Sequence, residues 1–305
     1  MQAPVALLLV SLLIGMALQK VKAIPDNAHL ALNQYVIYVA LPALALIHVP
    51  RIALEFDVLF AVATAWIIFF LAFPVVLLAA RAFDWSRQTT GCLILTAGLG
   101  NTAFFGFPVI EALYGLEGVQ MALLVDQPGT FVASSTMGIV VAGIFSAGSR
   151  RKRDVVRNVI TFPPFVVFVL ALVMNVSGVQ ARGVPLGVLE HFAMTLTPVA
   201  LISIGLQLRF SGAAEQLKPL SFGLLYKVFL APAFIFVLYV LVFGRDGLMI
   251  QVSVVQAAMP PMITGSIIAA AFGLNERLAA LMAGVGVPVA VVAIAGWYLL
   301  MAGFG

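Results

Sequence analysis

Gln256-Ala257-Ala258-Met259-Pro260-Pro261-Met262-Ile263-Thr264-Gly265 places two prolines in the middle of an apolar run that extends over 247–271. Proline lacks the N–H that the helical ladder needs, and its ring clashes with the preceding turn, so the pair predicts an unwound stretch inside a helix. A second stretch, Gly98-Leu99-Gly100-Asn101-Thr102-Ala103-Phe104-Phe105-Gly106-Phe107-Pro108, lies inside the apolar run 89–113. Gly98, Gly100 and Asn101 offer the same freedom, because glycine and asparagine tolerate irregular backbone. The two stretches are counterparts, since adding 158 to Asn101 gives position 259.

The chain around them cannot build a watered surface. Of 305 residues 63% are hydrophobic and 9% are charged, against about 25% charged in soluble domains. Mean hydropathy is +1.14, so the solvent is lipid. Runs of about 20 apolar residues suffice to cross a bilayer. Ten are found, at 4–20, 28–48, 57–80, 89–113, 117–147, 157–176, 185–208, 219–243, 247–271 and 276–302. The expected fold is an all-α polytopic membrane protein, and without a long polar tail or linker no soluble domain is expected beside it.

The single cysteine, Cys92, excludes an intrachain disulfide and a cysteine-based metal site. His29, His48 and His191 lie in separate segments without ligand spacing, so neither a metal nor a cofactor is expected. The pI near 9.4 is read as cationic loops facing the cytoplasm, not as a nucleic-acid surface.

Loop cations orient the spans. Arg150, Arg151, Lys152, Arg153 and Arg157 form the strongest basic cluster, which assigns that loop to the cytoplasm. Alternation then puts Lys20, Lys22, Arg81, Arg87, Arg209, Lys218 and Arg277 on the same side and Arg51, Arg182 and Arg245 on the other. Both termini are expected outside the cytoplasm, in a multi-pass protein of the plasma (bacterial inner) membrane. Lys20 and Lys22 follow the first apolar run instead of preceding it, the reverse of a cleavable signal, so 4–20 is read as a retained helix.

The two halves, 1–149 and 150–305, resemble each other. Phe70-Leu71-Ala72-Phe73-Pro74 recurs as Phe229-Leu230-Ala231-Pro232, and Tyr114-Gly115-Leu116 recurs as Phe272-Gly273-Leu274 at an offset of 158. Leu41-Pro42-Ala43-Leu44 is echoed by Thr197-Pro198-Val199-Ala200. Five spans per half is an odd number, so the second copy enters the membrane inverted. Inverted repeats with broken helices at the midplane are a signature of secondary transporters.

Asn101 falls about 18 Å into the fourth span at 1.5 Å per residue, and Pro260 falls at a similar depth in the ninth. Half-helix N-termini there present free N–H groups and positive partial charge, which suit a carboxylate. Asn101, Thr102, Met259, Pro260 and Pro261 are therefore candidate cargo-binding positions, and Gln127, with Thr130, adds hydrogen-bonding capacity. Asp126 is read as a proton or cation site or a gating group, because an unpaired carboxylate in a membrane costs at least about 2.5 kcal/mol. Gln256 has three readings: cation coordination, cargo binding, or helix packing. Lys227 is read as a counter-ion to Asp126, a partner for an anion, or a side chain that snorkels outward to the cytoplasmic edge. Glu111 and Glu117 fall near the outer ends of their helices and are expected to be solvated.

At Gly100-Asn101-Thr102-Ala103-Phe104-Phe105-Gly106-Phe107-Pro108, Gln256-Ala257-Ala258-Met259-Pro260-Pro261, and Tyr114-Gly115-Leu116 with Asp126-Gln127, the chain resembles the auxin efflux carrier family. Bacterial members of that family include transporters of malonate-like organic acids. The resemblance covers nearly the whole chain, and the short central loop is similar to the bacterial type. It implies a scaffold domain from spans 1, 2, 6 and 7 and a transport domain from spans 3–5 and 8–10. Broken spans 4 and 9 would cross in the transport domain, which would move as an elevator with a small organic anion at the crossing. It also implies contact between cargo and Asn101 and a homodimer through the scaffold. More distantly the chain is similar to the bile acid–sodium symporters, where a glutamate one turn before the ninth-helix break helps bind sodium. Gln256 stands there as a neutral residue, which weakens the case for that sodium site and leaves Asp126 as a cation ligand or proton carrier, with proton and sodium the candidate coupling ions.

Other classes find less support. No GxSxG, HExxH or paired intramembrane aspartate suggests an enzyme, and no filter-like loop suggests a channel.

Overall fold

The computed structural model describes residues 2–25, 27–52, 56–146, 163–208 and 213–304. The basic cluster at 150–157, Arg209 and the start of the sixth apolar run lie outside those residues.

The described chain is helical. Its elements are α1 (Gln2–Leu18), α2 (Ala28–Arg51), α3 (Val58–Ala82), α4 (Arg87–Gly98), α5 (Gly106–Phe145), α6 (Pro163–Val176), α7 (Gly183–Gln207), α8 (Leu217–Val242), α9 (Leu248–Ala257), α10 (Ile263–Ala271) and α11 (Glu276–Ala302). Six of these, α2, α3, α5, α7, α8 and α11, are long and apolar enough to cross a membrane, and shorter apolar helices occupy Ala6–Leu18, Val166–Val176 and Leu248–Ala257. The protein is a polytopic membrane protein.

Local chemistry sets several boundaries. The Ser86 hydroxyl accepts the Thr89 N–H and starts α4, and the Asn275 side chain accepts the Leu278 N–H and starts α11. Within α5 a sharp kink falls at Gly115, whose φ of 70° lies in the left-handed region that favours glycine. The boundary expected between the fourth and fifth apolar runs is thus one glycine and not a loop.

Two compact units emerge. The first comprises 1–55, 103–123 and 160–208; the second comprises 56–102, 124–159 and 209–305.

In the first unit α1 lies against the second half of α7 at the closest helix approach among the described residues' glycines. A Cβ on Gly15 would stand 2.3 Å from the Ile202 carbonyl oxygen, and one on Gly205 would stand 2.4 Å from the Leu12 carbonyl oxygen. Lipid supplies no hydrophobic drive between helices, so small residues that admit close backbone packing take over that task. Polar side chains add to it: Gln19 donates to the Gly205 carbonyl at 2.6 Å, and Asn175 donates to the carbonyls of Val49 and Ile52 at 2.9 and 2.8 Å.

In the second unit aromatic donors bond main-chain carbonyls of neighbouring helices. Trp66 Nε1 donates to the Pro128 carbonyl at 3.1 Å, Tyr226 Oη to Ile68 at 2.6 Å, and Trp297 Nε1 to Val228 at 3.0 Å. Asp126–Phe131 and Tyr226–Leu230 are π-helical turns, a form frequent at functional sites. Gly98 makes room for Phe69, with a would-be Cβ 3.2 Å from its ring, and this seats α4 on α3.

Candidate functional site

Residues 99–102 of the first interrupted stretch and the whole of the second belong to the second unit. α4 ends at Gly98, and helix resumes at Gly106; α9 ends at Ala257, and helix resumes at Ile263. The expected Pro260-Pro261 break and the expected Gly98–Asn101 break are therefore real interruptions and not kinks.

Their backbones cross as a short antiparallel bridge between Gly100 and Pro261. The Asn101 N–H donates to the Pro260 carbonyl at 2.8 Å, and the Met262 N–H donates to the Leu99 carbonyl at 3.0 Å. Non-helical backbone at membrane depth is tolerated only when its polar groups are satisfied by protein or water. Here each break satisfies the other. Gly286 of α11 creates the space, since a Cβ there would stand 2.5 Å from Pro261 Cδ.

Polar side chains gather around this bridge. Asp126 is 3% exposed and accepts two hydrogen bonds, from the Thr102 hydroxyl at 2.6 Å and from Gln127 Nε2 at 2.8 Å. Gln256 Nε2 donates to the Thr102 carbonyl at 3.3 Å. The acceptors Gln127 Oε1 and Gln256 Oε1 are buried without a protein partner. Buried acceptors of this kind need a hydrogen-bond partner to offset their desolvation. Asn101 and Met259 are buried beside them. All eight candidates from the sequence thus lie in the second unit, at or one residue from these contacts.

Lys227 corrects one sequence reading. It does not snorkel: it is 1% exposed, and its ammonium donates to the Ala257 carbonyl, the last of α9, at 2.8 Å. Nor does it pair with Asp126; the described ion pairs are Arg245–Asp57 and Arg277–Glu215. Its position nine or so residues from a span edge hid this, because distance along a helix does not say which face a side chain takes. A cavity of about 10 Å³ joins Lys227 to Gly100, Thr102, Thr130, Thr64 and Gln256, room for about one water. No cluster of metal-ligating residues occurs among the described residues.

A larger cavity, about 220 Å³, belongs to the first unit and is lined by His48, Arg51, Glu111, Glu190 and Thr197 among apolar residues. Glu111, expected to be solvated, accepts a hydrogen bond from the Thr197 hydroxyl at 2.8 Å.

The family model described as "Membrane transport protein" matches residues 1–146 and 148–298. The chain belongs to this family. Two relatives cover most of it. An uncharacterized transporter of Methanocaldococcus jannaschii is 27% identical over 285 residues, 88% of this chain and 89% of the relative. An uncharacterized transporter of Methanothermobacter thermautotrophicus is 26% identical over 264 residues, 86% of this chain and 85% of the relative. The sequence reading of an auxin-efflux-carrier-type membrane transporter, and not an enzyme, agrees with these matches. For a membrane transport protein, the crossing supplies buried donors and acceptors from three helical elements at one point, without groups arranged for bond-making chemistry.

Proposed function

We propose that this transporter is a secondary active carrier of small organic anions, with its cargo held in the second unit where the two breaks cross. One observation carries the reading: the Gly100–Pro261 bridge, with Asn101, Thr102, Gln127, Met259, Pro260 and Gln256 buried around it. The N-terminus of α10, starting at Ile263 beside the bridge, directs positive partial charge there. The Lys227 Nζ lies in the same place and donates to the Ala257 carbonyl. Asp126, held by Thr102 and Gln127, serves as the coupling or gating group in this reading.

Ten crossings in two inverted five-helix repeats fit this reading. Support comes from the matched layout of the breaks, 98–106 and 257–263, close to the 158-residue offset of the sequence echoes. An elevator-type cycle, in which a transport domain carries cargo past a scaffold, is supported by the grouping of α3, α4, α8, α9, α10 and α11 in one unit and α1, α2, α6 and α7 in the other. Residues 103–123 group with the latter, a departure from the simple assignment of spans 3–5 to transport. The proposed setting is the plasma membrane, with both termini extracytoplasmic and the protein a homodimer through the scaffold.

The test is uptake of labelled malonate, malate and indole-acetate into proteoliposomes, with an imposed proton or sodium gradient, for wild type and Asn101→Ala. Saturable uptake of one acid that is lost in the variant supports carrier and site together. Saturable uptake unchanged by the substitution keeps the carrier and removes the site. Absence of uptake of every acid removes the proposed cargo class.

A further inference from the structure

Carriers with broken helices bind their coupling cations at unwound carbonyls and at the C-terminal ends of half-helices, where negative partial charge collects. In this chain that place is taken. α9 ends at Ala257, and the carbonyl of Ala257 accepts the Lys227 ammonium at 2.8 Å. Lys227 reaches it from a π-helical turn of α8, Tyr226–Leu230, fully buried.

The opposite break is shaped to admit the ammonium. A Cβ on Gly100 would stand 2.9 Å from Lys227 Nζ and 3.2 Å from its Cε. Any side chain at Gly100 thus displaces the lysine head from the crossing. The remaining polar surroundings are neutral oxygen-bearing side chains. The cavity of about 10 Å³ is lined by Thr64, Thr102, Thr130 and Gln256, and Gln256 Oε1 is an acceptor with no partner. The cavity leaves room for only about one water beside the lysine, so a dissolved cation entering it would stand directly against the ammonium and be repelled.

We infer that Lys227 is a tethered coupling cation: its ammonium holds the site that a dissolved sodium ion would otherwise fill, so the folded carrier takes no sodium at the crossing. The inference deepens the carrier reading and rests on the crossing being the transport site. It assigns Lys227 a positioning role, acting through the α9 C-terminus and Gly100, not through bond chemistry.

The experiment reads stability, so it is independent of which acid is carried. Melting of the purified full-length protein is followed in sodium, potassium, ethylammonium and N-methylglucamine chloride at constant ionic strength. The wild type is expected to melt at the same temperature in all four. Lys227→Ala, which opens the position, is expected to melt several degrees lower in N-methylglucamine and to recover selectively in sodium or ethylammonium. Lys227→Gln serves where the alanine variant does not fold, and is expected to show the same recovery. Lys227→Arg retains the charge and is expected to remain indifferent to sodium. A sodium-specific rise in the wild type overturns the inference. So does the absence of cation-selective recovery in the folded uncharged variants. Failure of the acid-uptake test with success here would remove the cargo class and leave the tethered cation standing.

Discussion

The Thr102 hydroxyl donates to Asp126 Oδ1 across 2.6 Å, which ties the break after α4 to the π-helical turn within α5. Asp126 is buried, so its second bond, from Gln127 Nε2, is the other described side-chain compensation for its desolvation. Thr102→Val keeps the shape and removes the donor. Loss of a buried hydrogen bond to a polar partner costs about 1–3 kcal/mol. The expected outcome is a lower Tm in Thr102→Val, with Asp126→Asn in the same background costing less than it does alone. A melting series on the four proteins checks this, and additive losses would refute a direct link.

Gly100→Ala places a methyl 2.9 Å from Lys227 Nζ. The lysine head is the flexible end of its side chain, so it gives way and loses its hold on Ala257. We expect an interaction energy of about 0.5–3 kcal/mol between Gly100→Ala and Lys227→Met, the range for residues in contact. The double-mutant cycle is read from unfolding midpoints.

Gly286→Ala meets Pro261 Cδ at 2.5 Å, a rigid ring rather than a mobile chain end, so the crossing itself must shift. Overpacking of this kind costs about 1–3 kcal/mol. Gly296→Ala in the same helix meets nothing within 4 Å and is expected to be neutral or stabilising by about 0.5–1 kcal/mol. Thermal melting separates the two, and uptake of an identified cargo is expected to fall only in Gly286→Ala.

Gly15→Leu is expected to separate α1 from α7, because its Cβ would meet backbone oxygen at 2.3 Å and backbone cannot yield as a side chain can. The folded, monodisperse yield should collapse on size exclusion. Gly143→Ala, with nothing within 4 Å, is the matched control and should retain wild-type yield.

The backbone signals of this protein are local, and so they were legible in its sequence. Pro260-Pro261 cannot continue a ladder, and the Gly98–Asn101 stretch permits departure from it; the helices end at Ala257 and Gly98. Thr102, Asp126, Gln127 and Gln256 stood out because polar groups are costly in lipid, although their mutual bonds were not readable. Those bonds depend on which faces α3, α5, α8 and α9 turn to one another. Lys227 shows the same gap from the other direction. Its bond to the Ala257 carbonyl is made from the π-helical turn at Tyr226–Leu230, and no residue of Tyr226-Lys227-Val228-Phe229-Leu230 announces that partner.

The Gly100–Pro261 bridge is held by two main-chain hydrogen bonds, Asn101 to Pro260 and Met262 to Leu99. Main-chain bonds are indifferent to what hangs from them. The meeting point of the two breaks therefore keeps its geometry while neighbouring side chains are exchanged, provided that Gly100 and Gly286 stay small. If the crossing is the cargo site proposed above, its selectivity can be rewritten one side chain at a time, without having to rediscover the fold that presents it.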